Sequence, residues 1–278
     1  MKTGRNWPNS TTQLTGLWFK IINSIMIFAL STGLAVAGNY DNKYQENEHP
    51  FGATAIIIET TDNDIELQVF VDGTRWKTLE IFTPEDRRIF NLRTRQDFRR
   101  QGGLSELYLA SEPTHYLAEE PSFDGTIDDF LARFPEGTYE IEGRTGNGGE
   151  LEGEATLTHV LPALPEIIAP VSDGDDPQVL DPNNIVIEWE PVTTRFIGDG
   201  PVEIVEYQVI IDQDEPLRDT PWVDGKNRRA LINLPASITS FKVPPEFLLP
   251  NTNYNFEIMA IEISGNSTIC EGEFITSE

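Results

Sequence analysis

The sequence predicts an all-β protein: two tandem immunoglobulin-like β-sandwich domains, the first carrying one short helix, preceded by a signal peptide. Three observations carry that expectation. Short runs rich in Val, Ile, Thr and aromatics recur along the chain, with apolar and polar residues alternating inside each run, as in half-buried strands. Gly, Pro, Asn or Asp punctuate the runs. The 278 residues suffice for two domains of ordinary size once a leader is removed.

The leader comes first. Residues 1–37 hold Lys2, Arg5 and Lys20 and no acid, and a mostly apolar run extends from Ile21 to Val36. The run ends Leu34-Ala35-Val36-Ala37-Gly38, with small residues where signal peptidase requires them, so cleavage is expected after Ala37. An uncleaved membrane anchor is the alternative. Asn23, Ser24, Ser31, Thr32 and Gly33 interrupt it, and a bilayer span needs ~20 mostly apolar residues. The expected location is therefore secreted, periplasmic or cell surface, with no stable membrane insertion after cleavage. Residues 38–54 are expected as a flexible N-terminal segment, 55–162 as a β-sandwich of unknown family and 163–278 as a second sandwich. The boundary falls in the Pro-rich stretch at 161–165.

Composition excludes several functions. The 46 acidic against 20 basic residues give a net charge of −26, which makes nucleic acid a poor partner because phosphate binding needs cations. Cys270 is the only cysteine, so neither an intramolecular disulfide nor a Cys-rich zinc module is available. His49, His115 and His159 lie far apart. No Gly-x-Ser-x-Gly elbow, phosphate-binding lysine loop, His-Glu-x-x-His or dinucleotide glycine fingerprint occurs. The catalytic, cofactor and metal assignments are accordingly none, and the protein is expected not to be an enzyme.

In the first half, strands are expected at 55–59, 66–71, 75–82, 88–92, 104–110, 138–144 and 150–159. The last two are joined by Thr145-Gly146-Asn147-Gly148-Gly149, a hairpin signal. Thr126-Ile127-Asp128-Asp129 is a capping box, and Ile127, Phe130, Leu131 and Phe134 follow at helical spacing before Pro135 and Gly137 stop the helix. That aromatic stripe is expected to pack on a sheet.

In the second half, strands are expected at 184–190 and 205–212, with Trp189 and Tyr207 as their bulky residues. The spacing Leu248-x-Pro250-x-Thr252-x-Tyr254 suits a tyrosine corner, whose phenol packs inward and bonds the nearby main chain. With the opening strand at 165–170 and the closing strand at 268–276, residues 163–278 resemble a fibronectin type III domain. That resemblance implies an adhesive, spacer or ligand-recognition module with a protein or glycan partner outside the cytoplasm. One departure is the acidic, Pro-bearing segment 213–225, which carries Trp222 between Pro221 and Val223. In the first half, Pro135-x-Gly137-Thr138-Tyr139 loosely echoes the same corner.

Four features qualify as candidate sites. Arg87, Arg88, Arg93, Arg95, Arg99 and Arg100 concentrate positive charge within an acidic chain. They read either as a docking strip for an anionic glycan, phosphorylated surface or acidic protein, or as arginines paired internally with nearby acids. Trp222 reads either as a solvent-facing stacking residue or as a cover for the end of the sandwich. The acid-rich turns at 61–66 and 172–176 have the oxygen ligands that calcium takes, though Asp and Asn in turns also bond their own backbone. Cys270, on the face of Phe274, reads as a small buried apolar residue. A rival to the recognition module is a carbohydrate-active accessory protein or hydrolase that uses carboxylates of the first domain.

Overall fold

The computed structural model describes residues 48–116, 125–171, 177–214 and 228–278. The expected leader, the acid-rich turn at 172–176 and Trp222 lie outside them. The protein is all-β. Its first half contains β1 (Glu48–Pro50), β2 (Ala53–Thr60), β3 (Asp64–Phe82), β4 (Arg88–Arg93), β5 (Leu104–Ala110), β6 (Thr114–His115), β7 (Gly137–Thr145) and β8 (Glu150–Leu157). Two short helices interrupt them, α1 (Gln96–Gln101) and α2 (Ile127–Arg133).

The strand that organises this half is β3, 19 residues long. Its first part pairs with β2 and β5; its last part pairs with β7 and β4. Between them the register shifts from Asp72 to Trp76, and Arg75 has a φ of 57°. One strand therefore serves both layers, where the sequence predicts separate strands at 66–71 and 75–82. The corner exists because Gly73 has no side chain: a Cβ there would sit 2.7 Å from Cδ1 of Phe51. Gly143 and Gly153 lie under the same ring, at 2.8 and 3.1 Å by the same measure. Phe51 is thereby fixed in the core. Within the segment expected to be flexible, the preceding β1 pairs in parallel with β8.

Alternation along β3 puts Ile65, Leu67, Val69 and Val71 inward, and Trp76, Leu79 and Ile81 continue inward past the corner. α2 begins as its capping box predicts, with the Thr126 hydroxyl accepting from the Asp129 amide at 3.2 Å. Its Phe130 is buried in the core. α1 has no side-chain cap and buries no residue, so nothing in its sequence announced it. Tyr139 is fully buried and donates its hydroxyl to the Pro135 carbonyl at 3.0 Å, four residues upstream.

The second half contains β9 (Ile167–Ala169), β10 (Gln178–Leu180), β11 (Val186–Trp189), β12 (Ile204–Gln213), β13 (Arg229–Pro235), β14 (Ser240–Lys242), β15 (Asn253–Glu262) and β16 (Ser267–Thr276). One layer has the order β9, β11, β14; the other runs β16, β15, β12, β13, with β10 on β16. Trp189 and Tyr207 meet edge to face in the core at 5.3 Å. The Tyr207 hydroxyl accepts the Val192 amide at 2.8 Å. The tyrosine corner forms as predicted: Tyr254 is fully buried, its hydroxyl accepts the Leu249 amide at 2.8 Å, and its ring stacks on Phe274 at 5.4 Å.

The halves are joined through β2 and β16, which pair in parallel at Glu59 with Ser267 and Thr60 with Thr268. This pairing makes one thirteen-stranded sheet. Beside it stands Asn266, 1% exposed. Its Oδ1 accepts the Ile58 amide at 2.8 Å, and its Nδ2 donates to the carbonyls of Thr158 at 2.9 Å and Val160 at 3.0 Å. Thr268 adds a bond to the Ala163 carbonyl at 3.1 Å. Side chains of the second half thus hold main-chain carbonyls just before and within the Pro-rich boundary.

Candidate functional site

The arginine cluster begins in the turn between β3 and β4 and ends in α1. Arg87 donates to the Arg133 carbonyl at the end of α2, at 2.7 Å. Arg88 pairs with Glu80 at 2.5 Å, and Arg100 pairs with Asp97 one helical turn away at 3.1 Å. Arg93, Arg95 and Arg99 have no ion-pair partner among the described residues, and all three are exposed. Between Arg95 and Arg99 in the chain stands Phe98, which is 64% exposed. Three of the six arginines are therefore engaged within the molecule, and three have no ion-pair partner among the described residues.

The acid-rich turn at 61–66 closes on itself. The Thr61 hydroxyl accepts the amides of Asn63 and Asp64 at 3.1 and 3.0 Å and donates to the Asp64 carboxylate at 2.9 Å. The carbonyls of Thr61 and Asn63 are used by Tyr116. Among the described residues, no group of three or more His, Cys, Asp or Glu is placed to hold a metal ion. His159 is fixed to the end of α2, with its ring Nε2 2.8 Å from the Phe134 carbonyl. Cys270 is half-buried opposite Ile258, on the core side with Phe274. Burial, then Asp62 and Glu271, push its thiol up to about 12.

A second region carries no sequence signal. Core residues of β2, β3, β15, β16 and β12 occupy one face of the joined sheet, and alternation sends the intervening residues to the other. On that other face Ile57, Gln68, Gln208, Ile210, Met259 and Ile269 belong to neither core, yet each is at most 5% exposed. Neither described α-helix accounts for it: Phe130 of α2 packs into a core, and α1 buries nothing.

At the junction of the halves, Glu59 lies on this face at 8% exposure. It is directly opposite Glu66 in the β2–β3 ladder and beside Ser267 across the β2–β16 pairing. Like charges placed opposite each other disfavour ionisation. Burial first, and then the fields of Glu66, Glu257 and Asp64, push the Glu59 carboxyl up to about 8. The same burial, with Glu59 and Glu66 nearby, raises the phenol of Tyr108 on β5.

Gln68 commits its amide nitrogen to Glu66 at 2.7 Å, and Gln208 commits its own to Asn233 at 2.9 Å. That leaves Glu59 Oε2, Gln68 Oε1, Gln208 Oε1 and Ser267 Oγ buried without a hydrogen-bond partner among the described residues. A Glu at a strand end before Thr60-Thr61-Asp62 resembles any surface acid. Its burial depends on a strand some two hundred residues later, which local sequence does not announce.

A shallow depression between Tyr116 and the start of α2 is lined by Tyr116, Thr126, Ile127 and Asp128. Among the described residues no helix is long and apolar enough to cross a membrane.

No family model matches the chain, and no curated protein matches it. Solved structures with similar stretches include trypsin-activated alpha-2-macroglobulin from Escherichia coli, at 10% identity and a TM-score of 0.26, covering 84% of this chain and 16% of that one. The native conformation of E. coli alpha-2-macroglobulin gives 11% identity and a TM-score of 0.27, over 78% of this chain and 13% of that one. A 1.5-MDa bacterial ice-binding adhesin gives 10% identity and a TM-score of 0.24, over 83% of this chain and 66% of that one. The chain thus spans less than a fifth of the macroglobulin chains.

Proposed function

We propose that the protein is a non-catalytic ligand-recognition module acting outside the cytoplasm, with a second half of fibronectin type III kind, and that it holds an anionic partner on the surface around α1. One observation carries this reading: Arg93, Arg95 and Arg99 lack ion-pair partners among the described residues and flank the 64% exposed Phe98, in a chain of net charge −26. Free guanidinium groups bind sulfate, phosphate or carboxylate oxygens in pairs, and an exposed ring beside them adds apolar contact. The rival hydrolase needs two carboxylates about 5 to 10 Å apart across a cleft. The depression near α2 is lined by one, Asp128.

The test is calorimetric titration of the full chain with dextran sulfate and with neutral dextran. Binding of the sulfated polymer alone, weakening as salt rises and falling about tenfold in the Arg93→Ser, Arg95→Ser, Arg99→Ser triple variant, is the expected result. Equal binding of both polymers, or an unchanged triple variant, would refute it. The three side chains are exposed, so the variant keeps the fold.

A further inference from the structure

The cationic surface does not end at α1. Where β3 meets β7, Trp76 pairs with Thr145 and Thr78 with Arg144, so Lys77 is an extra residue with no partner of its own on β7. A bulge of this kind re-aims a side chain, and two glycines show where this one goes. Gly103, whose amide bonds the Phe98 carbonyl at the end of α1, would bring a Cβ within 3.2 Å of Lys77 Cγ; a Cβ on Gly146, in the β7–β8 hairpin, would collide with Lys77 Nζ. The lysine stem therefore runs from the end of α1 to the hairpin. Ahead of α1, the Thr94 amide donates to the Lys77 carbonyl at 2.9 Å, so the helix is held against this residue at both ends. The Lys77 ammonium has no ion-pair partner among the described residues.

The strands add two more cations. Thr78 stands opposite Arg93 on β4 and Arg144 on β7, which sets the two arginines two strand spacings apart, about 10 Å. Leu79 and Ile81 point into the core, so Thr78 and its two neighbours point outward, and both arginines are exposed. Arg144 pairs with Glu150 at 2.9 Å, but both side chains are exposed, and such a pair adds little to the fold. Arg99, Arg95, Arg93, Lys77 and Arg144 thus form one strip that starts on α1 and crosses β4, β3 and β7. The next row of the same face is acidic: Glu80 stands opposite Glu142, and Glu142 opposite Glu152. It lies two residues along the strands, about 7 Å away, and borders the strip on that side.

We propose that this strip binds a linear polysaccharide with sulfate or carboxylate groups on successive sugars, laid across β4, β3 and β7 with its anions on Arg93, Lys77 and Arg144 and one end on α1. The strip continues the anion site read at α1, on which it rests, from a point to a line. Charge complementarity calls for a polyanion, and the surroundings select its shape. A flat anionic surface would meet Glu80, Glu142 and Glu152 together with the cations, whereas a narrow chain follows the strip and avoids them. An acidic protein would need an apolar patch at the centre of its interface. On α1, β3, β4 and β7 the large apolar side chain that is exposed is Phe98, at the α1 end.

Its test is calorimetric titration of the full chain with size-fractionated dextran sulfate, a disaccharide fraction against one long enough to span the strip, about 20 Å. The long fraction is expected to bind at least about tenfold tighter than the disaccharide. Lys77→Gln combined with Arg144→Gln keeps most of both stems and removes both charges, and should weaken the long fraction about tenfold. Glu142→Gln combined with Glu152→Gln removes the bordering repulsion and should tighten it about threefold; these exposed changes relieve two like charges set opposite each other, so the variant folds. Polyglutamate of matched length should bind more weakly than the long fraction. An unchanged Lys77→Gln, Arg144→Gln variant, no tightening on removal of the acidic row, or polyglutamate bound as tightly would overturn the proposal. Loss of binding in the Arg93→Ser, Arg95→Ser, Arg99→Ser variant together with an unchanged Lys77→Gln, Arg144→Gln variant leaves the α1 site standing and removes the strip. No binding of either fraction by the parent chain removes both.

Discussion

The second half assigns different strands to its two layers, whereas the first half runs one strand, β3, through both. Where a strand serves one layer, its ends are marked locally by turn residues, and its inward residues follow one unbroken alternation. Where a strand crosses between layers, the corner is made by a residue from elsewhere. Phe51 presses on Gly73, and the chain bends there without ending the strand. Glycine in a strand pattern often marks such a close approach rather than a turn. The tyrosines show a smaller version of the contrast. Tyr254 accepts a main-chain amide from Leu249, while Tyr139 donates to a main-chain carbonyl, that of Pro135.

The contrast can be broken most strongly at Phe51. Phe51→Ala empties the space above Gly73, Gly143 and Gly153, and is expected to cost about 4 kcal/mol in denaturant unfolding. A cost below about 1 kcal/mol would show that the corner stands without the ring. Next in size is Asn266→Ala, which strands the Ile58 amide and the carbonyls of Thr158 and Val160 in a buried joint. About 3 kcal/mol is expected. The single endotherm expected of the parent chain in scanning calorimetry should separate into two as the cores lose their coupling. One sharp transition in the variant would mean that the halves are held together elsewhere.

The smallest effect sharpens the tyrosine comparison. Tyr254→Phe leaves an amide unpaired, and Tyr139→Phe leaves a carbonyl that tolerates partial satisfaction better. The first is expected to cost about 1.5 kcal/mol and the second about half that. Equal costs would indicate that the two corners are equivalent.

Much of this architecture could be seen in the sequence. The capping box at Thr126 marks α2, the glycine-rich loop at 145–149 marks the β7–β8 hairpin, and the spacing up to Tyr254 marks the corner, because each is specified by neighbours within a few residues. The features that escaped are those made by distant partners. Gly73 falls between the strands expected at 66–71 and 75–82, Asn266 follows Ser264-Gly265, and Glu59 is the last residue of the strand expected at 55–59. Each takes its role from a contact far away in the chain, and alternation within one strand says which face a residue joins but not what lies across it. Of the arginines, charge density alone located the cluster. Only the structure separates Arg87, Arg88 and Arg100, which are engaged, from Arg93, Arg95 and Arg99.

The central claim is that the two halves meet over a buried carboxyl that has no counter-charge among the described residues, and pH-dependent stability of the parent chain against Glu59→Gln tests it most directly. The folded-state value of about 8 lies above the ordinary 4.5, so between those values the folded chain keeps a proton that the unfolded chain has lost. That group's contribution therefore declines as pH rises across the window, by at most about 1.4 kcal/mol per pH unit, and changes no further above it. Urea midpoints measured from pH 5 to pH 8 should fall in the parent relative to Glu59→Gln, with the variant the more stable at pH 8. Two curves that stay parallel across that range would contradict the account.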